Sequence, residues 1–145
     1  MSKVSGTVAI ARKPEEVFAY LDDFGARKTW QKDITTTKVL TDGPVRVGTE
    51  VEETRQMGKR TIVSRWRVTT HEPPMRSTFE TYDGSMLKPS GAVTVAADGA
   101  GSRVTFEMEP NPMGITKVLM PIIARQIRKS INGSLQNLKS NLESS

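Results

Sequence analysis

The stretch from Pro121 to Leu142 constrains the fold most, because it carries the longest regular amphipathic pattern in the sequence. At about 100° per residue, as in an α-helix, its residues separate into two faces. The first face is mainly apolar and consists of Ile123, Ala124, Ile127, Ile131, Ser134, Leu135, Leu138 and Leu142. The second face is polar and consists of Arg125, Arg128, Lys129, Asn132, Gln136 and Lys139. The pattern predicts a long helix that packs by one face against the rest of the protein.

The start of this helix is predicted at Pro121. Proline removes a hydrogen bond inside a helix but fits its first turn, so we expect a kink or a restart there. An upstream apolar stripe also has helical spacing but is rotated by more than a right angle; it consists of Ile115, Val118, Leu119 and Ile122. The charged and amide side chains along one face exclude a lipid-facing membrane span.

The length of 145 residues is typical of one domain with one core, so we expect a single domain, large enough for an internal cavity, over residues 1–145. The chain has no cysteine, which excludes disulfides, thiolate metal sites and cysteine nucleophiles. Residues 1–12 contain no apolar run of signal-peptide length. We therefore expect a cytoplasmic protein.

The positive charge is concentrated near the C-terminus. From Asn111 onward, five basic residues stand against one acidic residue, so that +4 of the net charge of +5 lies in this segment. A basic helix face attracts anionic lipid, nucleic acid or an acidic protein. No aromatic residue is interleaved with these charges to stack on bases, so we expect no nucleic-acid partner. We interpret the face as solvated helix exterior, with transient contact to an anionic membrane surface left open.

Upstream of this helix, the sequence predicts mainly strands. Residues 4–10 alternate between apolar and small or polar side chains, as in a strand with one buried face. Proline and two acids open a short helix over residues 14–21, and residues 24–30 are long enough only for a second short helix. The following strands are predicted over residues 34–40, 47–57, 60–69, 76–82, 91–97 and 103–109.

Consecutive strands joined by short turns form an antiparallel meander, and its apolar face must be covered by another element. The C-terminal helix is the one segment long and apolar enough for this. The sequence therefore predicts an α+β fold, in which a curved antiparallel sheet of about seven strands wraps around the long C-terminal helix. A space remains between sheet and helix wherever the facing side chains are too small to fill it.

Several segments carry a resemblance to a known family. They are residues 14–21 (PEEVFAYL), 43–49 (GPVRVGT), 66–68 (WRV) followed by 72–74 (EPP), and the arginine-rich last helix. Together they resemble the polyketide cyclase/dehydrase and lipid-transport family, within the START-like, birch-allergen-like superfamily. The resemblance implies a helix-grip fold with a deep apolar cavity for small hydrophobic ligands. It implies no activity, because carriers, sensors and cyclases all belong to the family.

The candidate ligand-binding residues are those expected to face the space between sheet and helix. They are Trp30, Val51, Glu53, Ile62, Trp66, Phe79, Tyr82, Val93, Phe106, Met108, Leu119, Ile123 and Ile127. Trp30 and Tyr82 join an apolar body to a hydrogen-bonding tip, which suits a cavity mouth. Glu53 and Arg55 share the parity of the apolar residues in their strand, which would point both inward, whereas a bulge would turn both to solvent. An inward Glu53 needs a partner such as Arg55.

No assembled catalytic or metal site is evident in the sequence. His71 is the only histidine, and its position before Glu72 and two prolines is more typical of a strand end than of a general base. With one histidine, no cysteine and no acidic loop of calcium-ligand spacing, we expect neither a metal ion nor another cofactor. The glycines of residues 98–102 lack the lysine and following helix of a phosphate loop, and indicate a hairpin turn.

Three functions remain open. The first is the binding or transport of a small hydrophobic molecule, lipid-like or polyketide-like, in an internal cavity between the sheet and the C-terminal helix. The second is a cyclase or dehydratase that uses Glu53, Arg55, Tyr82 or His71 for proton transfer in the same cavity. The third is an interaction protein that acts through its basic C-terminal helix.

Overall fold

The computed structural model describes residues 3–84 and 87–144. Within them, the helices and strands follow the predicted order, with a short 3₁₀ turn added before the last helix. The elements are β1 (Val4–Ile10), α1 (Pro14–Asp22), a first 3₁₀ helix (Phe24–Thr29), β2 (Ile34–Val39), β3 (Glu50–Met57), β4 (Arg60–Glu72), β5 (Arg76–Asp83), β6 (Ser90–Asp98), β7 (Gly101–Glu109), a second 3₁₀ helix (Gly114–Lys117) and α2 (Met120–Glu143).

Among the described residues, seven strands form one curved antiparallel sheet in the order β1-β7-β6-β5-β4-β3-β2. From β2 to β7 each strand pairs with the next along the chain. β1 pairs with β7, so the first strand lies at one edge and β2 at the other. The predicted α+β, helix-grip fold, a curved sheet of about seven strands with a long C-terminal helix, is confirmed.

β1 is the strand on which α2 packs. Its apolar side chains alternate as predicted, and Val4 and Val8 are buried. Gly6 lies between them, and a Cβ atom there would come within 2.9 Å of Ile131 Cγ2 and 3.3 Å of Leu135 Cδ1. Glycine at this position therefore allows α2 to approach the strand closely.

α2 begins at Met120 with Pro121 in its first turn, and a separate 3₁₀ helix precedes it, so the predicted restart at Pro121 is confirmed. Proline fits there because its missing N–H has no partner in a first turn. The buried positions of α2 all lie in its C-terminal half; they are Ile131, Leu135, Leu138 and Leu142. They join side chains of β1, α1, β6 and β7 in the main hydrophobic core.

A second, smaller core lies over β3 and β4. It consists of Phe24, Val51, Trp66 and Val68, with the half-buried Phe79 packed against it. Phe24 belongs to the first 3₁₀ helix, so this core fixes that short helix on the sheet. The same short helix carries Arg27, a charged residue of the candidate site, and its packing on the sheet therefore fixes the position of Arg27.

Two strand boundaries differ from the sequence prediction by three residues, and the others by at most two. β4 continues through His71 and Glu72, where a break was predicted, because these residues pair with Ser77 and Arg76 of β5. β3 starts at Glu50, three residues later than predicted, and the preceding residues form a turn in which the Arg46 N–H donates to Thr49 Oγ1. Pairing across the hairpin, which a local pattern does not contain, decides the end of β4, and a local turn decides the start of β3.

Candidate functional site

A small cavity, of about 40 Å³, lies over the central strands of the sheet. Its lining comes from α1, the first 3₁₀ helix and strands β4 to β7. Five of the candidate residues from the sequence line it: Trp30, Trp66, Phe79, Val93 and Phe106. A volume of this size holds a few water molecules or one small chemical group.

α2 contributes none of the described residues that line this cavity. The apolar face of α2 predicted that this helix forms one wall, and for this cavity the prediction is wrong. The reason is the sheet order: α2 packs over β1 at the edge, whereas the cavity lies over β4 to β7. Of the candidates on this helix or next to it, Leu119 is exposed, and Ile123 and Ile127 are half-buried.

Aromatic rings cross the inner face of the sheet beside the cavity. Phe24 packs edge-on against Trp66 at 5.1 Å between ring centroids, Trp66 lies 5.7 Å from Phe79, and Phe79 lies 6.2 Å from Phe106. Gly91, opposite Phe79 in the sheet, makes room for this ring, since a Cβ atom there would lie 2.8 Å from Phe79 Cε1. Phe79 and Phe106 remain half-buried. The centre of the inner face is thus apolar and incompletely covered.

Glu53 lies on the inner face of the sheet, with 2% of its surface exposed. Glu53 therefore points inward and not to solvent, which are the two orientations that the sequence left open. Arg27 donates to Glu53 from Nε at 2.5 Å and from Nη2 at 3.3 Å, and Arg55 donates from Nη2 at 3.4 Å. Thr37 Oγ1 donates to the same carboxylate at 3.4 Å. Both carboxylate oxygens are therefore engaged.

Arg55 connects Glu53 to the start of β2. Its Nη1 donates to both carboxylate oxygens of Asp33 at 3.1 Å, and its Nη2 donates to Gln31 Oε1 at 2.8 Å. The side chains of Arg55 and Asp33 are about one-quarter exposed, so this end of the cluster reaches solvent. The two arginines and the two acids balance in charge.

Burial by itself raises the pKa of the Glu53 carboxyl. The charges of Arg27 and Arg55, with the hydrogen bonds of the cluster, more than offset this and hold the pKa below its ordinary value. Glu53 is therefore ionised at neutral pH and bound to two cations. A carboxylate in this state is a structural ion-pair partner, because a general acid needs a proton to give and a general base needs a free lone pair.

Arg27 was missed by the sequence analysis, although a signal for it exists. It lies three residues after Phe24 and three before Trp30, and residues three apart fall on one side of a 3₁₀ helix. Its guanidinium carbon lies 4.9 Å from the centroid of the Trp66 ring and 5.9 Å from that of Trp30. These distances are in the range of cation–π contacts.

The indole N–H groups of the two cavity tryptophans differ in their surroundings. The Trp66 N–H interacts with the Glu53 carboxylate and helps to lower its pKa. Trp30 Nε1 is buried and has no hydrogen-bond partner among the described residues. The sequence predicted Trp30 at a cavity mouth, whereas the structure buries it in the cavity wall.

His71 lies next to the cavity rather than in its lining. Its Nε2 donates to Asp22 Oδ2 at 2.8 Å, and Asp22 is a lining residue. The imidazole ring also packs against Phe18, with 5.8 Å between ring centroids. The pair joins the end of α1 to the end of β4.

The remaining candidate ligand-binding residues do not line the cavity. Tyr82 is on the outer face, where its hydroxyl donates to Glu50 Oε1 at 2.9 Å and its ring lies 4.2 Å from the guanidinium of Arg67. Tyr82 is thus away from the cavity. The other three lie on the inner side without lining it: Val51 in the second core, Ile62 half-buried opposite Arg55, and Met108 half-buried against the main core.

Across residues 3–84 and 87–144, no helix combines the length and the apolar character needed to cross a membrane.

Solved structures of other proteins share this fold. The protein TTHA0849 from Thermus thermophilus superposes with a TM-score of 0.85 at 14% identity, covering 99% of this chain and 98% of that one. A START superfamily protein from Mycobacterium smegmatis gives a TM-score of 0.79 at 14% identity, covering 98% and 97%. At such identities the likeness shows the fold alone.

Sequence comparison identifies the family. Toxin Rv0910 of Mycobacterium tuberculosis strain H37Rv is 27% identical over 140 residues, which cover 94% of this chain and 95% of that protein. The family model for polyketide cyclase / dehydrase and lipid transport matches residues 1–143, in agreement with the resemblance found in the sequence. This chain therefore belongs to the polyketide cyclase / dehydrase and lipid transport family.

Proposed function

We propose that this protein binds a small hydrophobic molecule, lipid-like or polyketide-like, on the inner face of the central strands. The observation that carries the proposal is the incomplete burial of Phe79 and Phe106 at the centre of this face. At the β1 edge, by contrast, α2 covers Val4 and Val8. Covering apolar surface contributes about 25 cal/mol per Å², so an apolar ligand gains affinity from these rings.

The ligand enters a site that widens on binding. Pockets for small molecules typically have volumes of about 300 to 1,000 Å³, whereas this cavity has about 40 Å³. The small cavity takes one end of a ligand, and the rest displaces half-buried side chains such as Val93 and Phe106. Binding then selects a more open arrangement of the first 3₁₀ helix and the sheet.

A neutral fluorescent probe tests this proposal. N-phenylnaphthylamine is expected to bind with a stoichiometry of about one and to be displaced by fatty acids or polycyclic aromatics. Val93→Phe fills the cavity and should abolish probe binding, while thermal melts show that the variant folds. Val63→Phe is the control, because Val63 is exposed on the outer face of β4. No binding by the wild type, or equal binding by both variants, would contradict the proposal.

We further propose that residues 113–122, the apolar segment, contact an anionic membrane surface. Its large apolar side chains are exposed; they are Met113, Ile115, Val118, Leu119 and Ile122. Val118 is 74% exposed and Ile122 is 61% exposed. A contiguous set of exposed apolar residues is typical of an interaction surface.

Charge selects the partner of the apolar segment. Lys117 lies within it, Arg125, Arg128 and Lys129 follow it, and no acidic residue occurs between Glu109 and Glu143. Apolar side chains combined with cations fit the boundary between headgroups and acyl chains of an anionic bilayer. Such contact would bring the protein to a membrane, where lipid-like ligands are found.

Vesicle co-sedimentation tests the membrane contact. The protein is expected to bind vesicles that contain phosphatidylserine, to bind pure phosphatidylcholine vesicles weakly, and to lose binding in high salt. Val118→Asp should reduce binding strongly, whereas Val47→Asp, at an exposed loop position outside the segment, should not. Equal binding to both vesicle types, or equal binding by both variants, would exclude the proposed surface.

A further inference from the structure

The strand order brings two separate connections to the same end of the sheet. Neighbouring strands are antiparallel, so β3, β5 and β7 all run in one direction and finish at one end. β7 leads into the apolar segment, and β3 leads into the turn of the β3–β4 hairpin. Residues 57–60, the hairpin tip, therefore lie at the same end of the sheet as the apolar segment.

The hairpin tip combines an exposed apolar side chain with two cations. Met57 is 47% exposed, and it pairs with Arg60 across a two-residue turn. Lys59 and Arg60 are also exposed, and neither has an acidic partner within residues 3–84 and 87–144. The apolar segment has the same character, since Lys117 lies among its exposed apolar side chains.

The charges at this end of the sheet favour an anionic partner. Glu109, the last residue of β7, is paired with Lys3 at 3.9 Å. Asp83, the last residue of β5, is paired with Arg65 at 2.6 Å. The acids that end these two strands are thus already compensated, whereas the cations of the hairpin tip are not. Unpaired cations beside apolar side chains fit an anionic bilayer, where the cations meet headgroups and the apolar groups meet acyl chains.

We infer that the hairpin tip is a second membrane contact, and that the protein binds an anionic bilayer with this end of the sheet. The inference rests on the proposed membrane contact of the apolar segment and adds an orientation to it. A second copy of this chain fits the end less well, because it would bring the same unpaired cations, and like charges repel.

Two contacts on different parts of the sheet fix how the protein stands on the bilayer. α2, which follows the apolar segment, packs on β1 at one edge of the sheet, whereas β3 lies next to the opposite edge. A single contact would leave the protein free to tilt. With both contacts made, the strands point toward the bilayer and the β4–β5 turn points away from it.

A fluorescent label at single cysteines tests this orientation. The chain has no cysteine, so each introduced cysteine carries the only label. The dye NBD, which brightens in apolar surroundings, is attached to Met57→Cys in the hairpin tip and to Val118→Cys in the apolar segment. With phosphatidylserine vesicles, we expect both labels to brighten and to shift to shorter wavelength. Met75→Cys is the matched control, because Met75 is 60% exposed in the β4–β5 turn at the opposite end, and its label should not respond.

The three labels separate the possible failures. A response from Val118→Cys without one from Met57→Cys overturns the second contact and leaves the proposed contact of the apolar segment intact. If Val118→Cys does not respond, that proposed contact fails and this inference fails with it. Equal responses from all three labels, Met75→Cys included, mean adsorption without a fixed orientation and also overturn the inference.

Charge reversal at the hairpin tip tests the cations without a label. Lys59→Glu combined with Arg60→Glu should weaken binding to phosphatidylserine vesicles about tenfold or more in co-sedimentation. Lys38→Glu combined with Arg76→Glu is the control: it changes the net charge equally, at exposed positions toward the opposite end of the sheet, and should weaken binding much less. Equal losses in the two double variants mean that net charge alone determines binding, and they overturn the role of the hairpin tip.

Discussion

Arg27 and Glu53, 26 residues apart in the chain, are joined by two hydrogen bonds, from Nε at 2.5 Å and from Nη2 at 3.3 Å. The pair ties the first 3₁₀ helix to β3 at a point where Glu53 has almost no contact with water. A buried ion pair contributes little relative to an apolar pair of the same shape, but the loss of one partner is costly. When one partner is removed, the charges that remain in the cluster lie near one another without enough opposite charge to balance them.

Replacing Glu53 with Gln is therefore expected to destabilise the protein by about 3 to 5 kcal/mol, because Arg27 loses its carboxylate partner and Asp33 alone remains to balance the two arginines. Glu52→Gln is the control. Glu52 lies on the outer face and pairs with the exposed Arg65 at 2.8 Å, so its replacement should change stability little. Urea denaturation followed by circular dichroism measures both free energies of unfolding. Similar losses in the two variants would contradict this account.

The lowered pKa of Glu53 predicts a pH dependence of stability. A carboxyl whose pKa is lower in the folded than in the unfolded protein stabilises the fold above the unfolded pKa, about 4.3 for glutamate. This contribution is lost as the pH falls through the folded pKa. The free energy of unfolding of the wild type should thus decrease as acid is added below this range, and that of Glu53→Gln should decrease less. If plots of the free energy of unfolding against pH run parallel for the two proteins, Glu53 does not have this role.

The two halves of α2 should respond differently to truncation. Leu138 is fully buried, so Leu138→Ala is expected to cost about 2 to 5 kcal/mol. Ile123 is half-buried, and Ile123→Ala should cost clearly less because fewer packed neighbours are lost. Thermal melts compare the two variants. Equal destabilisation would mean that the N-terminal half of α2 is packed as tightly as the C-terminal half.

Gly6→Ala tests the close approach of α2 to β1. The new methyl group would lie 2.6 Å from Asn132 Oδ1 and 2.9 Å from Ile131 Cγ2, so these side chains or the backbone that carries them must shift. Overpacking of this kind typically costs about 1 to 3 kcal/mol. Gly133→Ala is the opposite control, because nothing lies within 4 Å of a Cβ atom there and alanine favours a helix. Chemical denaturation should show a loss for the first variant and a gain for the second.

The order and type of the elements could be predicted because each has its own periodicity. Alternation in β1 and the stripe of α2 are properties of the local sequence, and both match the buried residues. The strand that α2 packs on could not be predicted in this way. Its contact with β1 depends on a glycine, Gly6, whose role appears only when the helix lies beside it. The expectation that α2 lines the cavity failed for this reason.

At the candidate site, strict alternation of side chains along a strand gives the correct face of the sheet for both Glu53 and Tyr82. Glu53 shares the parity of Val51, and both are buried. Tyr82 lies three residues after Phe79, so alternation already places it on the other face, where it bonds to Glu50. Arg27 was harder to predict, because it belongs to a 3₁₀ helix of six residues. Short helices have too few positions for a periodic pattern to stand out.

The pairing of β1 with β7 has a consequence for synthesis of the chain on the ribosome. Thr7 meets Thr105, 98 residues later, and the Ala11 N–H meets Glu143 only after 132 residues. At translation speeds of about 5 to 20 residues per second, β1 emerges roughly 5 to 20 seconds before its partner strand. During this time the apolar side chains of β1 lack the strand β7 and the helix α2 that cover them in the folded protein. The sheet can grow from β2 toward β7 as the chain is made, whereas the pairing of β1 has to wait for β7.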